Sequence, residues 1–280
     1  MKKPVIAKER FEMGKLNKLL GMIKQNTLFG TLRFLLYRMV LDLVRKLVWM
    51  IHFDTSKDGT KVCIDEFIGE VNKMKSPRIL ELGSRDISRK SQFHSYSEYV
   101  GFDIYPGNYV DVVGDAHRLS SYFPEGHFDA IYSISVFEHL AMPWKVVLEM
   151  NKVLKPGGQI LIVTHPTCPP HALPWDFWRF SKAAFASLLN SKTGFEITKC
   201  IEGNPCVVLP LGTDKELKVS HRILSFLVIS VIAKKSGPMD SALAWDVDIG
   251  SVVGNMYPLE YDDQVSRAFF DYFKKERKSK

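Results

Sequence analysis

An α/β domain built on an open parallel sheet is the fold class that residues 78–235 predict, and three observations predict it. Arg78-Ile-Leu-Glu-Leu82 is a short apolar run that passes straight into a turn at Gly83. Tyr99-Val-Gly-Phe102 then ends in Asp103, and Tyr109 to Val113 ends in Gly114-Asp115-Ala116. Phe128-Asp-Ala-Ile-Tyr-Ser133, a helical segment and Leu154-Lys-Pro-Gly-Gly-Gln-Ile-Leu-Ile-Val163 complete the series. Apolar runs that alternate with helical stretches and close on acids mark a parallel sheet with ligand groups at its strand ends. The chemistry is therefore expected at the carboxyl edge.

The elements follow in order, and the reading divides the chain into residues 1–56, 57–236 and 237–280. Residues 14–53 are expected to be helical and amphipathic, because Leu16, Leu19, Leu20 and Ile23 recur at i, i+3, i+4, i+7. Further on, Arg38, Asp42, Arg45 and Lys46 form a narrow polar stripe beside Phe34, Leu35, Val40, Leu43, Leu47 and Trp49. That apolar face is wider than a helix resting on a core needs. Two readings stand: a helix packed on the sheet or in a dimer, and an interfacial helix whose Arg/Lys meet anionic headgroups. Lys57 to Lys75 is a helical linker, Ile223 to Ala233 a buried strand, and Ser181 the cap of a helix over 182–189. Asp263 to Lys275 has Val265, Phe269, Tyr272 and Phe273 at helical spacing, with a basic run behind them.

Charge sits at the ends. Of a formal +7, residues 1–50 contribute +8 and residues 271–280 contribute +3, which leaves an acidic middle of −4. An anionic partner is expected for the ends, and no nucleic acid for the core. The four cysteines, Cys63, Cys168, Cys200 and Cys206, show no paired spacing, as in a reduced compartment. Lys8, Glu9, Arg10 and Glu12 interrupt any signal-peptide core, and no uncharged run nears the ~18 residues of a membrane span. The expected location is cytoplasmic, peripheral at the inner face of the cell membrane if the interfacial reading holds.

A glycine after the first strand lets backbone approach a ligand, and an acid after the second can accept both ribose hydroxyls. Gly83 and Asp103 satisfy this for any nucleoside cofactor, nicotinamide included. Asp115 and Pro156-Gly157-Gly158 discriminate further. Taken together, the segments resemble the class I S-adenosylmethionine-dependent methyltransferases. Glu81-Leu-Gly83 is similar to their first motif, Gly101-Phe-Asp103 to the ribose acid, and Gly114-Asp-Ala-His-Arg-Leu119 to the adenine-reading segment. Ser133-Ile-Ser-Val-Phe-Glu-His-Leu140 and Leu154-Lys-Pro-Gly-Gly158 resemble the motifs after the fourth and before the fifth strand. The resemblance implies a Rossmann-like seven-stranded sheet, to which the periodicity of residues 14–53 adds an N-terminal amphipathic helical extension. It implies S-adenosyl-L-methionine held by Glu81, Gly83, Ser84, Arg85, Asp103, Ile104, Asp115, Ala116 and Ser133. Arg85 and Ile87 stand where that family's loop has further glycines. Either the loop takes another path, with Arg85 turned to the methionine carboxylate, or cofactor binding is weaker.

Thr164 to Ser181, with Trp175, Phe177, Trp178 and Phe180, resembles a bacterial subgroup associated with cell-surface glycan gene clusters. The resemblance implies a glycan or lipid-linked sugar as acceptor. Methyl transfer needs in-line alignment in a dry site, and a hydroxyl acceptor is helped by a general base. His139, His165, His171 and Asp176 are the candidates, each of which could instead only shape the pocket. Glu138-His139 resembles the metal-binding E-x-x-E-H pattern of some related O-methyltransferases, and Glu138, His139 and His165 could hold Mg²⁺, but Ser135 replaces the first acid and no metal is expected. The reading is an O-methyltransferase for a surface glycan or its lipid-linked precursor. The alternatives are a quinone or lipid methyltransferase and a non-catalytic adaptor with the same fold.

Overall fold

The structure is a computed structural model, and it describes residues 28–49, 59–208, 224–243 and 245. The chain divides into two compact units, one that includes residues 1–54 and one that runs from Thr55 to Asp262. Within the first unit the described element is helix α1, Leu28–Trp49. Leu32, Leu36, Met39, Leu43 and Leu47 follow one another every three or four residues along it, and all are more than half exposed. The apolar repeat at Leu16 to Ile23 and the expected helix at Asp263 to Lys275 lie outside the described residues. Among the described residues no helix is long and apolar enough to cross a membrane.

The second unit is a sheet domain. Helix α2 (Gly59–Asn72) leads into β1 (Arg78–Leu82), β2 (Glu98–Asp103), β3 (Val112–Val113) and β4 (Phe128–Ile134). Helix α3 (Pro143–Val153), β5 (Leu154–Thr164), α4 (Lys182–Leu188), β6 (Phe195–Val207) and β7 (Leu224–Lys235) follow. The strand order is β3-β2-β1-β4-β5-β7-β6. The first five strands are parallel to their neighbours, and β7 is antiparallel to both β5 and β6. The sheet is thus the seven-stranded Rossmann-like one expected, closed by an antiparallel hairpin at one edge.

Strand alternation decides the two cores. Ile79, Ala130, Tyr132 and Leu161 face the side where Cys63, Phe67, Ile68 and Val71 of α2 pack. Leu80, Leu82, Ile131, Ile160 and Ile162 face the other side, against Val146, Val147, Met150 and Val153 of α3 and Phe185 of α4. Helices on both faces cover the parallel strands, so these read as continuous apolar runs. Ser181 caps α4 as expected, its Oγ accepting from Ala184 N at 3.2 Å.

Three details differ from the sequence expectation. The third run shortens to Val112–Val113, because Asp111 leaves the ladder to bind Gly101 twice: its N–H donates to the Gly101 carbonyl, and its Oδ2 accepts from Gly101 N–H, both at 2.8 Å. The Pro-Gly-Gly turn lies inside β5 as a bulge. Phe128 pairs with Leu154 and Ala130 already with Gln159, with Gly157 at φ +76 between them. The last strand runs on to Lys235, which is buried. Burial lowers its ammonium pKa, and Lys235 Nζ donates to the Asn151 and Leu154 carbonyls at 2.6 and 2.7 Å. It closes the C-terminal end of α3, where carbonyls lack intrahelical partners.

Candidate active site

The carboxyl ends of β1, β2 and β4 open onto a cavity of about 450 Å³. It sits where the strand order turns back, between β1 and its neighbours on either side, which is where open α/β sheets bind ligands. One wall comes from β1 and the β2–β3 side: Glu81, Gly83, Arg85, Asp103, Ile104, Asp115 and Ala116 line it. The other comes from the chain after β4: Ser135, Val136, His139 and Leu140, with Trp175 from the segment after β5.

The first wall is built from backbone. Gly83 has φ +86, and its N–H donates to the Phe102 carbonyl at 2.8 Å. A Cβ at Gly83 would meet Val136 Cγ2 at 2.2 Å, so the turn presses directly on the facing wall. Asp103 Oδ1 accepts from Tyr105 N at 3.0 Å, and Oδ2 from Arg85 N at 3.3 Å. Burial raises the carboxyl's pKa against those bonds. Each oxygen keeps a lone pair, the capacity that two ribose hydroxyls require. Burial also pushes the Asp115 carboxyl up, but hydrogen bonds from His117 outweigh it and the net shift is downward. Its Oδ1 accepts from His117 N and Nδ1 at 2.9 and 2.7 Å. His117 Nε2 then accepts from Met142 N at 3.2 Å, which fixes the ring's tautomer.

Glu81 acts behind this wall. Its carboxylate accepts from Ser88 Oγ and Tyr99 OH, both at 2.5 Å, and from Arg89 N at 3.4 Å. It therefore ties the loop 84–89 to the sheet. Gly107 lets the backbone approach that loop closely: a Cβ there would stand 2.4 Å from the Arg85 carbonyl oxygen. Arg85 lines the cavity, and its Nε donates to Asp86 Oδ2 at 3.1 Å.

Two expected cofactor contacts, Ser84 and Ser133, do not line the cavity. Both are fully buried, and their Oγ atoms have no hydrogen-bond partner. Ser84 Oγ turns toward β2, 2.8 Å from where a Cβ on Gly101 would stand. Ser133 is an interior β4 position whose alternation points it into the sheet packing. The wall is continued instead by Ile134, Ser135 and Val136, which sequence reasoning had quoted within a motif but had not named as cofactor contacts. Ser135, at φ +55, turns the chain over the strand end while its N–H donates to the Val163 carbonyl at 2.8 Å.

The second wall is built from side chains. His139 is buried, and its Nδ1 lies 2.6 Å from the Trp175 carbonyl. That carbonyl can only accept, so Nδ1 carries the hydrogen. Burial depresses the ring's pKa, which keeps it neutral at pH 7. Segment 165–181 is laced down beside it: Phe177 N and Trp178 N donate to the Glu138 carbonyl at 2.8 and 3.2 Å, and Trp178 Nε1 donates to the Leu140 carbonyl at 2.8 Å. Trp175 and Phe180 are buried anchors, whereas Phe177 and Trp178 are each 37% exposed.

Among the other expected bases, His165 Nδ1 donates to the Leu227 carbonyl at 2.8 Å. Asp176 is taken by Arg179, whose Nη1 and Nη2 reach its two oxygens at 2.6 and 2.7 Å. Burial raises that carboxyl, but the guanidinium and the His171 N–H more than offset it and hold its pKa low. A carboxylate held in this way fixes His171, whose N–H it accepts at 2.8 Å, and is not a base. Neither His165, His171 nor Asp176 lines the cavity. Glu138, His165 and His171 nevertheless place one ligand atom each within 4.8 Å of one another, as do His139, His171 and Asp176.

Residues 83–162 match the model of a family described as a methyltransferase domain. A stretch of 103 residues is 33% identical to the 2-methyl-6-phytyl-1,4-hydroquinone methyltransferase of Synechocystis sp., covering 32% of this chain. The chain spans only about a third of that enzyme's length, 31%. A methyltransferase from Archaeoglobus fulgidus described as SAM dependent superposes with a TM-score of 0.46 at 16% identity, over 63% of this chain and 93% of the other. A putative methyltransferase from Bacillus halodurans C-125 gives 0.46 at 16%, over 62% and 99%. The matched residues 83–162 hold the glycine turn, both acids and the His139 wall, so the likeness to a methyltransferase domain falls on the cavity itself.

Proposed function

We propose that the chain O-methylates a sugar hydroxyl of a cell-surface glycan or of its lipid-linked precursor. The observation that carries this reading is His139: a buried, neutral imidazole on the cavity wall opposite the nucleoside-binding acids. Bound S-adenosylmethionine supplies an electrophilic methyl carbon. Asp103 would hold the ribose, Asp115 would sit at the adenine, and Gly83 would bring backbone under the methionine. Val136, Leu140 and Trp175 would exclude water from the methyl. A hydroxyl at the Trp175 side would lose its proton to His139 Nε2 as its oxygen takes the methyl carbon and the sulfonium–carbon bond breaks, with S-adenosylhomocysteine as the leaving group. The exposed faces of Phe177 and Trp178 suit stacking on sugar rings.

A second reading, methylation of a quinone or other lipid, is favoured by the likeness to the hydroquinone methyltransferase. Helix α1 supports either acceptor if it is lipid-borne, since its exposed leucines suit the headgroup boundary of an anionic membrane. Incubating the protein with labelled S-adenosylmethionine and extracts of glycolipid and quinone precursors separates the two. Label in the glycolipid fraction is expected, and label confined to the quinone fraction overturns the sugar reading. Failure to bind S-adenosylhomocysteine at all would favour a non-catalytic adaptor. Full-length protein should sediment with anionic vesicles and lose this on deletion of residues 1–53; a full-length chain that stays in solution makes α1 a packing element.

A further inference from the structure

We propose that Glu138, His165 and His171 form a binding site for one divalent first-row transition-metal ion beside the methyl-transfer cavity. The three come from separate places: Glu138 from the turn after β4, His165 from the residue following β5, and His171 from the loop beyond it. Folding gathers one ligand atom from each to within 4.8 Å.

Glu138 poses the question that a cation answers. The residue is wholly buried; Oε2 accepts from Thr164 Oγ1 at 2.6 Å, while Oε1 has no hydrogen-bond partner. A buried carboxylate oxygen left in that state is costly. What it faces is imidazole nitrogen: His165 Nε2 at 3.3 Å and His139 Nε2 at 3.9 Å.

His165 Nδ1 is 2.8 Å from the Leu227 carbonyl and His139 Nδ1 is 2.6 Å from the Trp175 carbonyl. Carbonyls only accept, so both rings carry their hydrogen on Nδ1. That leaves Nε2 of His165 as the nitrogen with a lone pair to offer a ligand, 3.3 Å from Oε1. A cation between them would take both, and 3.3 Å is the separation of two ligands each about 2.1 Å from a shared ion.

His171 stands third. Its ring lies 5.9 Å from His165 and 4.8 Å from His139, centroid to centroid and near perpendicular to both. The Pro169 carbonyl at 3.1 Å and the Asp176 carboxylate at 3.7 Å flank His171 Nδ1. Arg179 clamps that carboxylate in turn, binding the Cys168 and Pro169 carbonyls at 2.9 and 3.1 Å as well. Carbonyl and carboxylate partners behind each imidazole are the outer layer that orients metal-ligating histidines. Two imidazoles and one carboxylate suit zinc, iron(II) or manganese(II) better than magnesium or calcium, which prefer all-oxygen shells. The expectation of no metal rested on the missing acid at Ser135; the folded set keeps Glu138 of that dipeptide and joins it to His165 and His171 from beyond β5.

Cation binding here stands apart from the identity of the acceptor, and the experiment keeps it apart from the cofactor assignment. Full-length protein stripped with chelator is titrated with Zn²⁺ and, separately, Mn²⁺, and every sample is also titrated with S-adenosylhomocysteine. One equivalent of at least one cation at micromolar or better affinity is expected. Glu138→Gln and His171→Ala should each lower that affinity about 100-fold or more, with S-adenosylhomocysteine affinity within threefold of the parent as the check on folding. Stripped protein that binds S-adenosylhomocysteine but takes neither cation at 100 µM, on the order of a hundred times that affinity, overturns the site. So does a His171→Ala protein that binds metal like the parent. Metal uptake without S-adenosylhomocysteine binding would leave the site standing and remove the cofactor reading; binding of neither counts against both.

Discussion

The two walls of the cavity are held by different means. The wall under β1 and β2 is a backbone surface, with close approaches at Gly83, Gly101 and Gly107 and two acids fixed by neighbouring N–H groups. The wall after β4 is a side-chain surface, in which segment 165–181 is pinned by Trp178, Arg179 and the Glu138 carbonyl. A backbone wall tolerates little change of shape, because carbonyl oxygens cannot move aside. A side-chain wall can be re-cut by altering a few residues. A cofactor common to many reactions belongs on the first kind of wall and a particular acceptor on the second.

The largest effect is expected from Gly101→Ala. Its Cβ would fall 1.9 Å from the Tyr109 carbonyl oxygen, a backbone atom. The expected loss is about 3 kcal/mol of stability, at the top of the overpacking range, together with loss of S-adenosylhomocysteine binding. Thermal unfolding reads the first and calorimetry the second. A melting temperature within about 2 °C of the parent, worth ~1 kcal/mol or less, would show that the backbone wall yields.

Arg179→Ala attacks the other wall. It strands the Asp176 carboxylate, whose side chain is 2% exposed, while Arg179 itself is partly solvated at 25%. The buried-pair cost, discounted for that exposure, is roughly 2–3 kcal/mol. S-adenosylhomocysteine affinity should hardly change, and proteolysis should begin within 165–181. The pH dependence has a fixed sign. Asp176 has a lowered pKa in the fold, so its pairing stabilises the protein above the ordinary carboxylate pKa of about 3.9 and is lost as pH falls below it. The Arg179→Ala protein should therefore lose less stability than the parent on acidification through that range. An equal loss would mean that the pair contributes nothing.

Asp103→Ala leaves the wall's shape and removes its acceptor. Cofactor binding should weaken by roughly 1–3 kcal/mol, the worth of hydrogen bonds to a charged group, and unchanged affinity would move the ribose elsewhere. The smallest effect is expected at Ser181→Ala, which removes the cap of α4. About 1 kcal/mol of stability should go, with neither wall disturbed.

How much of this was legible follows the same division. That Gly83, Asp103, Asp115 and Ala116 would line one cavity was readable because each sits at a strand end, where a few consecutive residues fix the local geometry. Ser84 and Ser133 misled for a related reason: adjacency in sequence to a lining residue puts a side chain on the opposite face of a strand or turn. Asp176 looked like a base because its partner's role is invisible without the loop's path; Arg179 neutralises it from three residues away. Val136 and Leu140 belong to a quoted motif but had no chemical signal of their own, since apolar residues announce packing and not which surface they pack on.

By itself the sequence determined the order of strands and helices, their apolar faces and the acids at the strand ends. These depend on periodicity and local turn chemistry, which neighbouring residues carry. Only the tertiary structure decided that β7 inserts antiparallel between β5 and β6, and that segment 165–181 closes over Phe137–Leu140. It alone set Glu138 against His165 and His171. Such contacts join residues tens of positions apart, and their free energy comes from burial and hydrogen-bond satisfaction in three dimensions, which leaves no periodic trace along the chain.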